Sequence, residues 1–413
     1  MNEAVIISAV RTPVGRYMGG LRDIKAYDLA ALVMNEALER AGIESEMVDD
    51  VIFGQSYQNG EYVNIARMGL LTAGWPETIP GVTLDRRCCT GLDTVCFAAM
   101  MVQCGQAEMV VAGGVESMSS AEFYVPGEIK WGIGGKRGMP RGHGDLSIWG
   151  IPFYDRIQRA RVMSQPEERY GVLPAMMSWA ETAAKEEDIS REECDRWALE
   201  SHQKACAAMA AGKFNEEIVP VSVPQRKGDS VIIDKDENPR EDSTIEALAK
   251  LRPALGGVCT AGNSSTENDG AAVVVVTSAE KAGELGVKPL ATLRSFATVG
   301  DDPRRTYRTV PGAVNKALAR AGLGINDMEL IEVQEAFAAQ VLADLKEMGV
   351  GPDDYKRVNV NGSGISLGHP IACTGTRVLT TLLYEMRRRN ARYGLETICG
   401  GGGLGIAAVF ERK

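Results

Sequence analysis

Histidine is nearly absent: the 413 residues contain three. With so few imidazoles, and with Cys88-Cys89 lacking a second cysteine pair at ligand spacing, a metal centre is a poor reading of this chain. Positive charge is not in excess either. Lys and Arg number 45 against 55 Asp and Glu, a formal net charge of -10, which argues against nucleic acid or an acidic membrane surface as the main partner. An anionic ligand must therefore find a local basic patch. No apolar run approaches a membrane span. The stretch from Met1 to Ala9 lacks a basic region followed by a signal-length apolar run, so the expected address is the cytoplasm. The nine cysteines are odd in number and follow no repeating spacing, which speaks for reduced thiols rather than a disulfide framework.

What remains is an ordinary globular composition, 45% hydrophobic and 24% charged, in a chain long enough for two lobes, or two lobes and an insertion. Its two ends repeat one another. Ala37-Leu38-Glu39-Arg40-Ala41-Gly42 returns as Ala317-Leu318-Ala319-Arg320-Ala321-Gly322, an offset of 280, and each copy leads into an apolar, strand-like segment. Cys89-Thr90-Gly91 returns as Cys373-Thr374-Gly375, an offset of 284, each opening a helical pattern. Met109 to Gly114 is matched with Glu396 to Gly401, an offset of 287. Each half alternates strand and helix signals, the mark of an α/β lobe. Two such lobes would bring equivalent strand-to-helix turns face to face.

Residues 120–260 follow a different grammar. Trp131 to Gly138 and Pro140 to Gly144 read as loop, and Arg156, Arg159, Arg161 and Arg169 follow closely. Ser190 and Glu193 fit a capping box opening a charged helix. The acidic run from Asp234 to Asp242 reads as a solvated loop. The expectation is an insertion at the mouth of the site.

The chemistry-bearing motifs are Cys88-Cys89-Thr90-Gly91-Leu92, Gly368-His369-Pro370 and Cys399-Gly400-Gly401-Gly402-Gly403. Two thiols and one imidazole offer a nucleophile, a base to activate it and a second proton carrier, which is what acyl transfer through a thioester needs. The helix signal after Cys88 places that thiol near a helix N-terminus, a thiolate-stabilising position. Gly368 and Pro370 fix a turn around His369. Of the other histidines, His202 falls in a charged helix and His143 in a glycine-rich loop, so both are expected to face solvent. Gly400 to Gly405 is a poor dinucleotide loop, because only eight residues follow it where a long helix would be required.

With Gly113-Gly114-Val115-Glu116-Ser117-Met118-Ser119, Thr260 to Ser265, Glu335 to Gln340 and Asn359 to Gly362, these motifs stand in an order that resembles the thiolase family over nearly the whole chain. The resemblance implies an α/β fold of duplicated lobes in a five-layered α-β-α-β-α structure with an inserted loop domain. The expected division is 1–119 for the nucleophile lobe, completed by about 252–278, then 120–251 for the insertion that binds CoA and the acyl group. Residues 279–413 would form the lobe with the histidine and second cysteine. It also implies a dimer or tetramer of one chain, with coenzyme A and acyl-CoA as substrates and no permanently bound cofactor.

In the same way the resemblance makes Cys88 the nucleophile, His369 the group that takes its proton, and Cys399 the second acid/base. Backbone N–H groups of Cys88 and Gly401 would be oxyanion donors. Ser265 and Met176 would lie along the pantetheine, Arg240 on the adenine, and Phe337 in the substrate wall. Two departures stand out. Gln334, a further catalytic candidate, replaces the Asn usual before Glu-Ala-Phe, whose amide positions a water in an oxyanion hole; Ala175-Met176 replaces a His-Met pair of acetoacetyl-CoA-specific relatives, which leads us to expect an acyl group other than, or larger than, acetoacetyl. The rival readings are an acyl-CoA-binding subunit that needs an accessory partner and, more distantly, a decarboxylating condensing enzyme.

Overall fold

The computed structural model describes residues 2–127, 152–173 and 175–413. The glycine-rich segments 131–138 and 140–144, with His143, and also Pro174, lie outside the described residues. Each Ala-Leu-x-Arg-Ala-Gly copy ends a helix, Ala26–Ala41 or Thr309–Ala321, and its glycine supplies a left-handed cap, Gly42 at φ 66 and Gly322 at φ 70. The next N–H closes back on the last turn, Ile43 to Leu38 and Leu323 to Leu318. This closure satisfies carbonyls that a helix end leaves open.

A short turn and a buried strand follow each cap, Asp50–Gly54 and Leu330–Val333. These strands pair in parallel with Met109–Ser117 and Tyr393–Gly400, Val51 opposite Val111 and Ile331 opposite Leu395. The ladder thus sets an offset of 284, so Met109 corresponds to Tyr393, and the expected offset of 287 is corrected. Matching glycine to glycine misled the alignment, because register follows backbone pairing and not glycine content.

Among the described residues the large sheet has ten strands. In order across it run Leu330–Val333, Tyr393–Gly400, Leu404–Glu411, Ala291–Gly300, Ala4–Arg11, Asn268–Ser278, Met109–Ser117, Asp50–Gly54 and Gly81–Leu84, with Gly15–Arg16 beside Asn268–Ser278. Its two halves join only where Val5 and Ile6 pair with Thr292 and Ala291. Two equivalent helices, Thr90–Gln103 and Ile371–Arg389, fill the space between the halves. Leu92, Val95, Leu379 and Leu382 from these helices share one core with Val110 and Val274 of one half-sheet and Ile398 and Ile406 of the other.

The helices touch backbone to backbone at the repeated glycines. A Cβ on Gly91 would sit 2.7 Å from Ala372 O, and one on Gly375 would sit 2.2 Å from Leu92 N. Thr376 Oγ1 donates to Gly91 O at 2.9 Å across the crossing. The Cys-Thr-Gly repeat is therefore a packing device, because only glycine lets backbones approach so closely. Crossing at these points puts Cys88, just ahead of one helix, beside His369, just ahead of the other.

Residues 178–210 form two helices, Ser178–Glu187 and Arg191–Ala210, the second opened by a complete Ser190/Glu193 capping box. They pack on the C-terminal half: Trp179 stands edge-on to Phe337 at 5.2 Å and Trp197 to Tyr355 at 5.1 Å. One exposure expectation fails here, and a second, the solvated loop from Asp234 to Asp242, holds except at Asp236 and Asn238. His202 is only 5% exposed, because it falls on the stripe of Cys194, Ala198, Ser201 and Ala205 that the helix buries. Its charge-rich neighbours occupy the other face. In the acidic run, Asp236 is buried and accepts two bonds from Arg11 at 2.7 and 2.9 Å, while Glu237 accepts the Arg16 N–H at 2.8 Å. That segment is a strap over the loop that follows the first strand.

Candidate active site

Cys88 lies in the turn between Gly81–Leu84 and Thr90–Gln103. The Arg86 N–H donates to Thr90 Oγ1 at 2.7 Å, and Arg87 adopts a positive φ of 54, so the turn is tight and the thiol faces the opposite lobe. His369 is held on three sides. Its backbone N–H donates to Asn268 Oδ1 at 2.8 Å, Nδ1 faces Thr374 Oγ1 at 2.7 Å, and Nε2 faces Cys88 Sγ at 3.2 Å. The Thr374 hydroxyl has one proton, which we assign to Pro370 O at 3.1 Å. Thr374 Oγ1 therefore accepts from Nδ1–H. The network assigns the tautomer in which Nε2 presents a lone pair to the thiol.

Burial pushes the Cys88 thiol up to about 11, against the downward pull of the Gly401 N–H and of Arg87. Burial also holds His369 down to about 3, with Arg377 and Arg161 acting in the same sense. The resting pair is thus a neutral thiol and a neutral imidazole. Desolvation outweighs the helix N-terminus invoked from the sequence. Cys399 closes the strand Tyr393–Gly400 and is 1% exposed. Burial first, then Cys88 and Asp344, drive its thiol well above the ordinary range. Cys89 points away, its Sγ donating to Ile398 O at 3.6 Å inside the central core.

Cys88, His369, Cys399 and Gly401 line one cavity of about 210 Å³. Met176, Met177, Trp179, Ala336 and Phe337 form its apolar wall, and Ser265 and Arg161 also reach it. A nucleophile, a base with a free lone pair, a protonated second thiol and a fixed N–H donor converge on a largely apolar chamber. Such a chamber can form and break a thioester while excluding water.

Residues 4–280 match the model for the thiolase N-terminal domain and 287–412 the model for the thiolase C-terminal domain. The chain belongs to the thiolase family. A Cupriavidus necator protein named acetyl-CoA acetyltransferase is 43% identical over 422 residues, covering 100% of both chains. A Pseudomonas aeruginosa beta-ketoadipyl-CoA thiolase is 42% identical over 99% of both. The crystal structure of a Bacillus anthracis acetyl-CoA acetyltransferase superposes with a TM-score of 0.91 at 39% identity, covering 100% of this chain and 99% of that one. The fold is the mixed α/β fold of thiolases, and the protein is an acyltransferase with thiolase activity. Neither the binding-subunit reading nor the decarboxylating one is favoured by these relatives.

The remaining candidate residues of this thiolase are dispersed. Arg240 is exposed beside a second, smaller cavity of about 20 Å³ with His202, Asn238 and Ser243, and its N–H donates to His202 Nδ1 at 3.3 Å. Ser264 and Thr266 line both cavities, which are therefore neighbours. Gln334 is fully buried but does not line the reaction cavity. Its amide lies against Gly364, and neither amide atom has a hydrogen-bond partner among the described residues.

Sequence reasoning missed Thr374, Asn268 and Glu116. Thr374 was visible only as part of the Cys-Thr-Gly repeat, although a helix starting at Ile371 brings it one turn beyond His369. Asn268 carries no local signal, because its partner is 101 residues away.

Proposed function

We propose that acyl transfer runs through a thioester on Cys88, either cleaving a 3-oxoacyl-CoA with CoA or condensing two acyl-CoAs. The observation that carries this reading is the 3.2 Å approach of Cys88 Sγ to an unprotonated His369 Nε2. In cleavage, Nε2 takes the thiol proton as sulfur attacks the 3-oxo carbon. The Gly401 N–H, which pulls the Cys88 thiol down, and the Cys88 N–H would be the donors to the charge that develops on oxygen. The bond between C2 and C3 then breaks, and the C2 carbanion takes a proton from the Cys399 thiol, which its raised pKa keeps loaded. Incoming CoA gives its proton to the Cys399 thiolate and attacks the acyl group. The Cys88 thiolate that leaves recovers its proton from His369, and both thiols are restored. Condensation is the reverse.

Coenzyme A in this reading is a substrate, and the enzyme has no permanent cofactor. Its pantetheine would pass Ser265 and Met176, with the nucleotide near Arg240. That Ser264 and Thr266 line both cavities supports that course. Met176 overlies the Gly401 backbone, where a Cβ would come within 2.6 Å of its Cε, and Ala175 leaves its own position in the wall small. The small side chain of Ala175 supports an acyl group other than, or larger than, acetoacetyl, with Phe337 against it. Gln334 acts from behind the wall, on its shape rather than on the reacting atoms.

The division 1–119 with 252–278, 120–251 and 279–413 belongs to the same proposal. It is supported by the pairing of Asn268–Ser278 with Met109–Ser117, which returns the chain to the first lobe after the insertion. Among the described residues no helix is long and apolar enough to cross a membrane. A homodimer or homotetramer in the cytoplasm fits the family. The deciding experiment is a pair of partial reactions. Cys88→Ala should abolish acylation by acetyl-CoA, and Cys399→Ala should accept an acyl group but not form or break the carbon-carbon bond. Normal condensation by Cys399→Ala would refute the assignment.

A further inference from the structure

Cys88 and His369 belong to different lobes, and a 3.2 Å contact between them needs something that fixes the lobes in register at that point. Glu116, at the end of the strand Met109–Ser117, is fully buried and spans the boundary. Its Oε2 accepts the Ser56 N–H and the Ala372 N–H, both at 3.1 Å, and its Oε1 accepts the Tyr57 N–H at 3.0 Å. Ala372 stands in the first turn of the helix Ile371–Arg389, three residues beyond His369. The carboxyl group therefore caps one of the open N–H groups at a helix start; burial pushes it up to about 7, and the N–H groups of Tyr57, Ala372 and Ser56 pull the other way. Ser56 completes the link on the other side: its Oγ donates to Arg87 O at 3.3 Å, directly before Cys88.

We propose that Glu116 is a positioning residue for the thiolase reaction, locking the turn that carries Cys88 to the helix start that carries His369. The inference rests on the reading that Cys88 and His369 work as a pair. Packing leaves little tolerance there, because a Cβ on Gly114 would lie 1.9 Å from Ala372 O. The strand end and the helix start are already in backbone contact, and the carboxylate sets their sliding position. Glutamine has the right shape and the wrong polarity. Whichever way its amide turns, an NH2 group faces either the Tyr57 N–H or the pair from Ser56 and Ala372, donor against donor.

The test measures alkylation of Cys88 by iodoacetamide, located by peptide mapping, together with kcat, KM and thermal midpoint. Glu116→Gln should slow alkylation of Cys88 and lower kcat by at least tenfold, with KM for acetyl-CoA within threefold of wild type. Ser56→Ala, which changes no charge, should show a smaller fall in the same two quantities. A folded Glu116→Gln enzyme that loses thermal stability but alkylates at the wild-type rate would overturn the proposal. If Glu116→Gln does not fold, Ser56→Ala decides: a fall supports the link, and an unchanged alkylation rate overturns it. The His369→Ala variant separates the premise. If it alkylates like wild type, the Cys88 and His369 pairing itself is wrong, whatever Glu116 does.

Discussion

Thr374→Val removes one oxygen and nearly conserves volume, yet it should disable the base. In the native site the Thr374 hydroxyl accepts from His369 Nδ1–H at 2.7 Å, and this leaves the lone pair on Nε2 facing Cys88. With valine in place, two outcomes are open to the buried imidazole. It can keep its tautomer with an unsatisfied Nδ1–H, at a cost of about 1–3 kcal/mol. Otherwise the proton moves to Nε2, and the ring can no longer take the thiol proton. Either way the population able to activate Cys88 falls by roughly 5- to 150-fold, since about 1.4 kcal/mol is a factor of ten. The assay is the rate of Cys88 alkylation between pH 7 and 8, located by peptide mapping because Cys104 is exposed, alongside kcat for 3-oxoacyl-CoA cleavage. Thr374→Ser keeps the hydroxyl and should stay within a few-fold of wild type. A folded Thr374→Val enzyme alkylated at the wild-type rate would refute the tautomer argument.

Gly375→Ala drives a methyl into the backbone of the facing helix at Leu92 N, and should lower stability by about 1–3 kcal/mol or more in urea unfolding. Gly283→Ala, in the helix Ala279–Glu284 with open space at its Cβ position, should instead raise stability by about 0.4–1 kcal/mol. Burial holds His202 down to about 4, with Arg240 acting the same way. The unfolded chain therefore binds a proton that the native state refuses, and stability is lost as pH falls from about 6.5 towards 4. Compared with wild type, His202→Asn should show a flatter loss over that window, by up to about 1.4 kcal/mol per pH unit; parallel curves would contradict the burial of His202. Cys89→Ala should leave kcat nearly unchanged, because its thiol faces the core, and a large fall would mean that the turn depends on its packing.

The two-lobed α/β plan was legible because it was written twice: the left-handed caps at Gly42 and Gly322 and the glycine pair at the helix crossing leave the same letters in both halves. Cys88, His369 and Cys399 were legible because each sits in a glycine-bearing motif and the motifs stand in the order of the thiolase family. Partners that act through a single bond across a long loop were not. Asn268 and Glu116 look like any polar residue in a strand until folding brings their acceptor oxygens to the His369 turn and to Ala372. His202 and Asp236 were misjudged for a related reason. Charge density along the chain says nothing about which helix face is buried, or whether an arginine such as Arg11 waits inside.

Intact mass followed by peptide mapping would show whether Cys88 carries the acyl group covalently. The pure enzyme would be mixed with acetyl-CoA and, separately, with a longer 3-oxoacyl-CoA and CoA. An acyl adduct confined to the peptide with Cys88 is expected, absent in Cys88→Ala and still formed in Cys399→Ala. An adduct on Cys399 instead, or turnover by folded enzyme with Cys88 replaced by alanine, would contradict it.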